Sequence, residues 1–316
     1  LLDLCCGSGI QGIVASRYAA NVVAVDLNPR AVRFARFNAQ LNGLRAYEVR
    51  LGNLYEPVAG ERFDVVLANP PFVPSPEMGL RFRDGGASGE SLLRQIVAGA
   101  TKHLKARGRI CIVTDLVDVD SYEDKLRAWW GPESHEALVL KTADRDEILF
   151  SVPHCHAPFA QTFEDYNHAL DRWVSNFRST ELRKVNFGYL FLWRMAAGPD
   201  NAITVRTIHN PARPMHMEIS HWYYQQQRWH APDAAKAHVC LHPDARLQHT
   251  HGPDGSNPAY ALSVPGNDFY TTYTLTPRTY EELCHIAQVS PRRGEAHLAE
   301  SQWLHRLHRR GLVRLE

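Results

Sequence analysis

Apolar residues along the first 150 positions alternate between two rhythms. Short, almost continuously apolar runs with β-branched residues occupy 2–5, 21–25, 63–68 and 109–114, as expected for strands buried on both faces of a sheet. The stretches between them carry a helical period. Pro29 stands where a first helical turn begins, Val32, Ala35, Phe37 and Leu41 follow at roughly helical spacing, and Gly43 suits the C-terminal cap. A second helix is expected over 91–104, with Leu92, Ile96, Val97 and Leu104 on one face and Gly108 as its breaker. Strand and helix in alternation predict an α/β domain with a parallel sheet and crossover helices. A helix over 164–177 then leads to "KVNFGYLFLWRM" (184–195), an aromatic-rich strand that can insert antiparallel in an otherwise parallel sheet.

The pattern breaks at 197–200. Beyond it histidines crowd together, prolines recur and apolar runs shorten. We therefore expect two domains, 1–196 and 197–316, the second a smaller α+β module. Its final stretch, "SQWLHRLHRRGLVRLE", reads as a helix leading through Gly311 into a short strand, a winged-helix-like ending. The chain starts without methionine inside an expected strand, so residues upstream are expected too.

Composition adds little to the choice of partner. Lys plus Arg number 35 against 34 Asp plus Glu, which excludes a strongly basic nucleic-acid coat. No apolar run reaches the length needed to span a bilayer, and the six cysteines are scattered. A cytoplasmic protein with reduced thiols and no membrane partner is the expectation. Nothing in the sequence fixes the oligomeric state.

The opening "LDLCCGSGIQGIVA" places Gly7, Gly9 and Gly12 in G-x-G-x-x-G spacing. Alone, that triplet fits a nucleotide loop or an ordinary tight turn equally well. Three further features narrow the ligand. Asp3 lies in the strand before the loop, where a carboxylate can meet a cationic amino group, which S-adenosylmethionine has and a pyrophosphate lacks. Asp26 ends the second strand in "VVAVDLN", where it can accept hydrogen bonds from ribose hydroxyls. The strand over 63–68 runs straight into Asn69-Pro70-Pro71-Phe72, at the carboxyl end of the sheet where ligands of such folds bind. A nicotinamide oxidoreductase would explain the glycines but neither Asp3 nor this tetrapeptide.

Together, Asp3, Gly7, Gly9, Asp26, "GNLYEP" and Asn69-Pro70-Pro71-Phe72 resemble class I S-adenosylmethionine-dependent methyltransferases of the subgroup that methylates planar nitrogens. The resemblance covers roughly residues 1–194. "DGGASGESLLRQIVAGATKHLKARGRICIV" further resembles the matching stretch of protein-glutamine N5 methyltransferases. It implies a doubly wound, mostly parallel, seven-stranded Rossmann-like sheet with its last strand antiparallel. It also implies S-adenosyl-L-methionine as cofactor, with Gly7 and Gly9 approaching the methionine part, Asp26 and its neighbour Leu27 at the ribose, and Asn53 and Leu54 flanking the adenine. The family usually has glycine where this chain has Cys5 and aspartate where it has Asn53; Cys5 adds a side chain beside the cofactor and Asn53 loses a charge.

The tetrapeptide has a chemical logic of its own. An amide or aromatic amino nitrogen is a poor nucleophile because its lone pair is delocalised. The Asn69 side-chain oxygen and the Pro70 carbonyl can each accept one N–H, fixing the NH₂ group and favouring tetrahedral character, while Pro70 and Pro71 stiffen the turn and Phe72 stacks on the planar group. Positioning alone can supply on the order of 7 kcal/mol of the barrier, so no catalytic base is sought. The expected activity is methyl transfer to a planar amide or amino nitrogen of a macromolecule, with protein glutamine favoured slightly and an amine of RNA or DNA as runner-up. A silent cofactor-binding scaffold is the alternative from another class.

Other features read more plainly. "HCH" at 154–156 lacks a second ligand pair, so His154 is expected to pack or face solvent rather than bind a metal. His209, His216, His221, His230, His238, His242, His249 and His251 show no repeating spacing and are assigned to surface. "HWYYQQQRW" from His221 reads as an edge strand or core face. Arg292, Arg293, Arg306, Arg309 and Arg310 make the last region locally basic, as a solvated face would be.

Overall fold

One eight-stranded sheet organises the first part of the chain in the computed structural model, which describes residues 1–155, 162–195, 202–208, 214–231, 233–234, 237–252, 256–288 and 302–316. Its strands are β1 (Leu2–Leu4), β2 (Val22–Asp26), β3 (Tyr47–Leu51), β4 (Phe63–Ala68), β5 (Leu104–Val117), β6 (His135–Lys141), β7 (Val185–Arg194) and β8 (Ala202–Thr207). Their order across the sheet is β3-β2-β1-β4-β5-β7-β6-β8. β1 pairs in parallel with β2 and β4, β2 with β3, and β4 with β5. β7 is antiparallel to both β5 and β6, as the aromatic run suggested. The strand order turns back between β1 and β4, and at such a switch point open α/β sheets form a crevice beyond their carboxyl ends.

Helices cover both faces, which makes the sheet doubly wound: α1 (Ile10–Ala15), α2 (Pro29–Leu41), α3 (Ser91–His103), α4 (Tyr122–Trp130), α5 (Glu147–Cys155) and α6 (Phe163–Ser179). On one face Leu2, Leu4, Val66, Ile110, Ile112 and Leu190 pack with Leu93, Ile96 and Val97 of α3 and with Tyr122 and Leu126 of α4. Each such fully buried aliphatic side chain stabilises the fold by about 2 kcal/mol of transfer free energy. On the other face Val32 and Ala35 of α2 meet Ala24 and Val49, and Phe150, Trp173 and Phe177 of α5 and α6 meet Val117 and Val185. Gly188 serves close packing within β7, since a Cβ there would collide with the Leu140 carbonyl oxygen of β6 and lie 2.5 Å from Leu116 Cδ1.

Several expectations change. The buried face of α2 is Val32, Ala35 and Ala39, while Phe37 and Leu41 are exposed. Asn28 caps this helix by accepting from Arg30 N at 2.9 Å, with Pro29 behind it. Helix α3 ends at His103, because Leu104 is already extended (ψ 137°), and Gly108 lies inside β5 rather than breaking the helix. The sheet has eight strands, not seven, because β8 joins at β6. Compactness divides the chain into Leu1–Val205 and Arg206–Glu316, so the division falls within β8 rather than at 196/197. Residues 197–200 lie outside the described residues.

The second unit contains α7 (His216–Trp229), β9 (Val239–Leu241), β10 (Arg246–Thr250), β11 (Ala259–Ser263), β12 (Tyr273–Leu275), α8 (Pro277–Gln288), α9 (Gln302–Arg309) and β13 (Val313–Leu315). β10, β11 and β12 form an antiparallel sheet, and β13 pairs antiparallel with β9. The run from His221 is helix α7, not a strand. Trp222, Gln225 and Gln226 share its buried face at helical spacing, and Trp222 Nε1 donates to Arg309 O at 2.7 Å. His242 is buried rather than on the surface, accepting from Asp244 N and edge-on to Tyr270. Arg310 is exposed and lies over the Tyr273 ring. His209, Arg292 and Arg293 lie outside the described residues. No helix among the described residues is long and apolar enough to cross a membrane.

Candidate active site

β1 runs into a loop whose backbone turns left-handed at Cys5 (φ 54°), Gly7 (φ 54°) and Gly9 (φ 87°). Glycine adopts that region freely and a side chain does not, so the Cys5 departure falls where glycine would be less strained. Side chains from several elements fix the loop. Asp26 Oδ2 accepts from Gly7 N at 2.8 Å and its Oδ1 from Asn28 N at 2.8 Å. Asp3 Oδ2 accepts from Gly12 N at 2.8 Å, and Asn38 Nδ2 donates to Ser8 O at 2.9 Å. Tyr47 Oη donates to Gly9 O at 3.2 Å.

The three glycines have different neighbours. A Cβ on Gly7 would meet nothing within 4 Å, so ligand can approach there. At Gly9 a Cβ would lie 2.9 Å from Tyr47 Oη and 3.2 Å from Ala35 Cβ, and at Gly12 it would lie 2.8 Å from Tyr47 Oη and 2.9 Å from Asp3 Oδ2. The second and third glycines thus admit the protein's own side chains.

Asp3 is 1% exposed and sits under α1 rather than open to the loop surface. Burial pushes its carboxyl up to about 7, opposed by the Gly12 N–H and reinforced by nearby Asp26. Its Oδ1 is enclosed without a hydrogen-bond partner among the described residues. Burial also raises the Cys5 thiol to about 12, aided by Asp26 and Asp3, so it stays neutral. Asp26 is half-buried at the end of β2, and Leu27 beside it is 68% exposed. Gly52 N donates to Asp26 O at 3.1 Å, which brings the following Asn53 and Leu54 to the same edge of the sheet. Leu54 is itself left-handed (φ 45°) and rests on the main core cluster. Asn53 Nδ2 donates weakly to Glu56 Oε1 at 3.4 Å.

The tetrapeptide begins next to this loop. Leu4 pairs with Ala68, so Cys5 and Asn69 follow side by side at the ends of β1 and β4. Asn69 is exposed, and its side chain makes no hydrogen bond with any described residue. Pro70 is buried and Pro71 half-buried. Phe72 is half-buried with its ring 6.3 Å from that of Phe187. The loop over 79–89 holds this turn from outside. Arg83 O accepts from both Phe72 N (3.1 Å) and Val73 N (3.0 Å), and Gly85 N donates to Val73 O (2.9 Å). A Cβ on Gly89 would strike the Phe72 carbonyl oxygen and lie 2.8 Å from Pro74 Cδ, and one on Gly85 would lie 3.0 Å from Phe72 C. That packing accounts for Gly85 and Gly89 of "DGGASGE", while Gly86 is left-handed (φ 84°) with open space around it.

Residues 1–131 match the methyltransferase small domain family. Among curated proteins the chain is similar to the ribosomal protein uL3 glutamine methyltransferase of Bradyrhizobium diazoefficiens, 32% identical over 164 residues, which are 46% of this chain and 51% of that protein. It is similar to the release factor glutamine methyltransferase of Gloeobacter violaceus, 35% identical over 127 residues, covering 35% of this chain and 44% of the relative. Ribosomal RNA small subunit methyltransferase C of Serratia proteamaculans is 31% identical over 140 residues, 44% of this chain and 36% of that protein. The chain thus spans about half, or less, of the length of these relatives.

Sequence reasoning missed three groups around the candidate site. Tyr47 belongs to β3, a strand the periodicity did not show. Asp115, opposite Phe187 in the β5–β7 register, is 4% exposed and receives Arg145 Nη2 at 2.6 Å. Burial raises it to about 6 against the pull of that guanidinium. Its one signal was a charge within the apolar run "ICIVTDLV". Arg145 in turn lies over the Phe150 ring. His154 packs, stacked on Trp173 at 4.9 Å, and burial lowers it to about 4. His156 lies outside the described residues, and no metal-binding cluster of His, Cys, Asp or Glu occurs among the described ones.

Proposed function

We propose that this chain transfers a methyl group from S-adenosylmethionine to the side-chain nitrogen of a protein glutamine. The observation that carries the reading is the juxtaposition of Asn69 with the glycine loop: an exposed side-chain amide without a hydrogen-bond partner among the described residues, one residue beyond the strand that lies against β1. The site fits the cofactor. Gly7 presents open backbone, Asp26 is held by Gly7 N and Asn28 N with lone pairs left for ribose hydroxyls, and Asn53 and Leu54 stand at the same edge for the adenine. Asp3, enclosed below the loop, acts through Gly12 and, in its ionised form, through its potential toward a cationic amino group rather than by surface contact.

When bound, the cofactor supplies an electrophilic methyl on a sulfonium. The chain's own work is orientation. Asn69 Oδ1 and the Pro70 carbonyl accept the two N–H bonds of the acceptor, so that the nitrogen lone pair points toward the loop and the developing positive charge meets two oxygens. Phe72, braced by Phe187, supplies the apolar wall for the planar group. No side chain needs to remove a proton before transfer, consistent with a clamp built without a titrating base.

Glutamine is favoured because two of the three relatives named above are glutamine methyltransferases. The ribosomal RNA relative supports a second reading, in which the same clamp holds a nucleobase amine. Either acceptor would be met in the cytoplasm. Labelled S-adenosylmethionine incubated with the protein and cell extract, followed by protease or nuclease, separates the two. Label released by protease alone supports glutamine; label released by nuclease alone overturns it. Asn69→Ala is expected to lower transfer by about 100- to 1000-fold, with the affinity for S-adenosylhomocysteine unchanged.

A further inference from the structure

We propose that Tyr47 is a positioning residue of the cofactor site, setting the backbone of residues 7–9 against which the amino-acid half of S-adenosylmethionine rests. The inference deepens the cofactor reading above and rests on it. Tyr47 opens β3, paired with Val22 at the far edge of the sheet, and packs against the cluster of Cys6, Ala24, Val32, Ala35 and Val49. From there its hydroxyl reaches under the loop and donates to Gly9 O at 3.2 Å. Gly9 caps α1 without any side chain of its own, and its carbonyl otherwise accepts only the Ile13 N–H that starts the helix. The space that a Cβ at Gly9 or Gly12 would need is taken by the same hydroxyl, 2.9 and 2.8 Å away. Loop, helix start and Tyr47 therefore fit as one unit.

Burial, with Asp3 and Cys6 nearby, drives the phenol well above its ordinary range, so it remains a donor at any working pH. Without that donor the Gly9 carbonyl is held by the Ile13 N–H alone, and the backbone over residues 7–9 loses one of the bonds that fix it against the amino-acid half of the ligand. Asp26 itself keeps Asn28 N and the Gly52 contact, neither of which passes through Tyr47. The ribose side should therefore be indifferent to a change at Tyr47, and the amino-acid side should not.

The test uses the whole chain and two probes, S-adenosylhomocysteine and adenosine, titrated calorimetrically or by competition. Tyr47→Phe is expected to raise the dissociation constant of S-adenosylhomocysteine about 3- to 10-fold, the effect of one net hydrogen bond, while leaving that of adenosine and the melting temperature nearly unchanged. Asn38→Ala, which removes the exposed bond to Ser8 O from the same loop, should repeat the selective loss. Wild-type affinity for S-adenosylhomocysteine in both variants overturns the proposal, and so does equal weakening of both probes. Asp26→Ala serves as the reference and should weaken both; if it weakens neither, the cofactor reading falls, and the role of Tyr47 with it.

Discussion

Replacing Asp3 by Asn offers a test of the site's electrostatics that needs no methyl acceptor. The carboxyl is 1% exposed and its pKa rises from an ordinary 3.8 to about 7, chiefly through burial. Because the folded-state value lies above the unfolded one, the neutral acid is what the fold favours. That stabilisation is complete below about pH 4 and is lost as the pH rises through 7. The rise corresponds to about 4 kcal/mol between those limits. Asn retains an oxygen for Gly12 N and cannot ionise. Urea unfolding of both proteins from pH 4 to pH 8 should then give a stability difference, wild type minus variant, that falls by about 4 kcal/mol across the range. Groups common to the two proteins cancel in this difference. A difference independent of pH, or one that grows with pH, would refute the burial argument.

Other perturbations address neighbouring features. Gly89→Ala forces a side chain into a left-handed position (φ 73°) and against the Phe72 carbonyl oxygen; transfer should fall about 100-fold with S-adenosylhomocysteine affinity retained in calorimetry. Arg145→Met leaves Asp115 buried without its cation and should destabilise by about 2 to 3 kcal/mol at pH 7, less than a fully buried pair because the guanidinium is partly exposed. That loss should shrink in denaturation curves taken at lower pH, as Asp115 takes up a proton. Gly188→Ala should cost about 1 to 3 kcal/mol by pushing β7 off the Leu140 carbonyl, read as a lower melting temperature.

The strands that the sequence displayed, β1, β2, β4, β5 and β7, lie inside the sheet, where apolar residues dominate each run. β3, "YEVRL", did not show because it is the edge strand, with Glu48 and Leu51 exposed and Arg50 engaged by Glu48 and Glu61. β6 escaped because His135 and Glu136 are buried polar residues that broke the apolar run. The candidate site divides in the same way. Gly7, Asp26 and Asn69 were legible because local chemistry sits on strand ends that also carried the sheet signal. Tyr47 and Arg145 were not, since each reaches the site from a distant segment, and no local spacing encodes a contact across 38 residues from Gly9 or 30 from Asp115. Of the two readings of the run from His221, the core face holds and the edge strand does not, because its aromatic residues suit a strand as well as a helix and the buried glutamines that fix the helical face look polar.

The antiparallel placement of β7 has a consequence for synthesis and for truncation. β6 reaches the rest of the sheet only through β7, and the outer flank of β5 is closed only by β7. A nascent chain that has emerged as far as the family match, residue 131, therefore carries a 14-residue strand with one unpaired side, an open template for other chains. Completion waits for residue 194. The smallest autonomously folding fragment should accordingly extend past that position, and shorter expression products should be recovered as aggregates rather than as monomers.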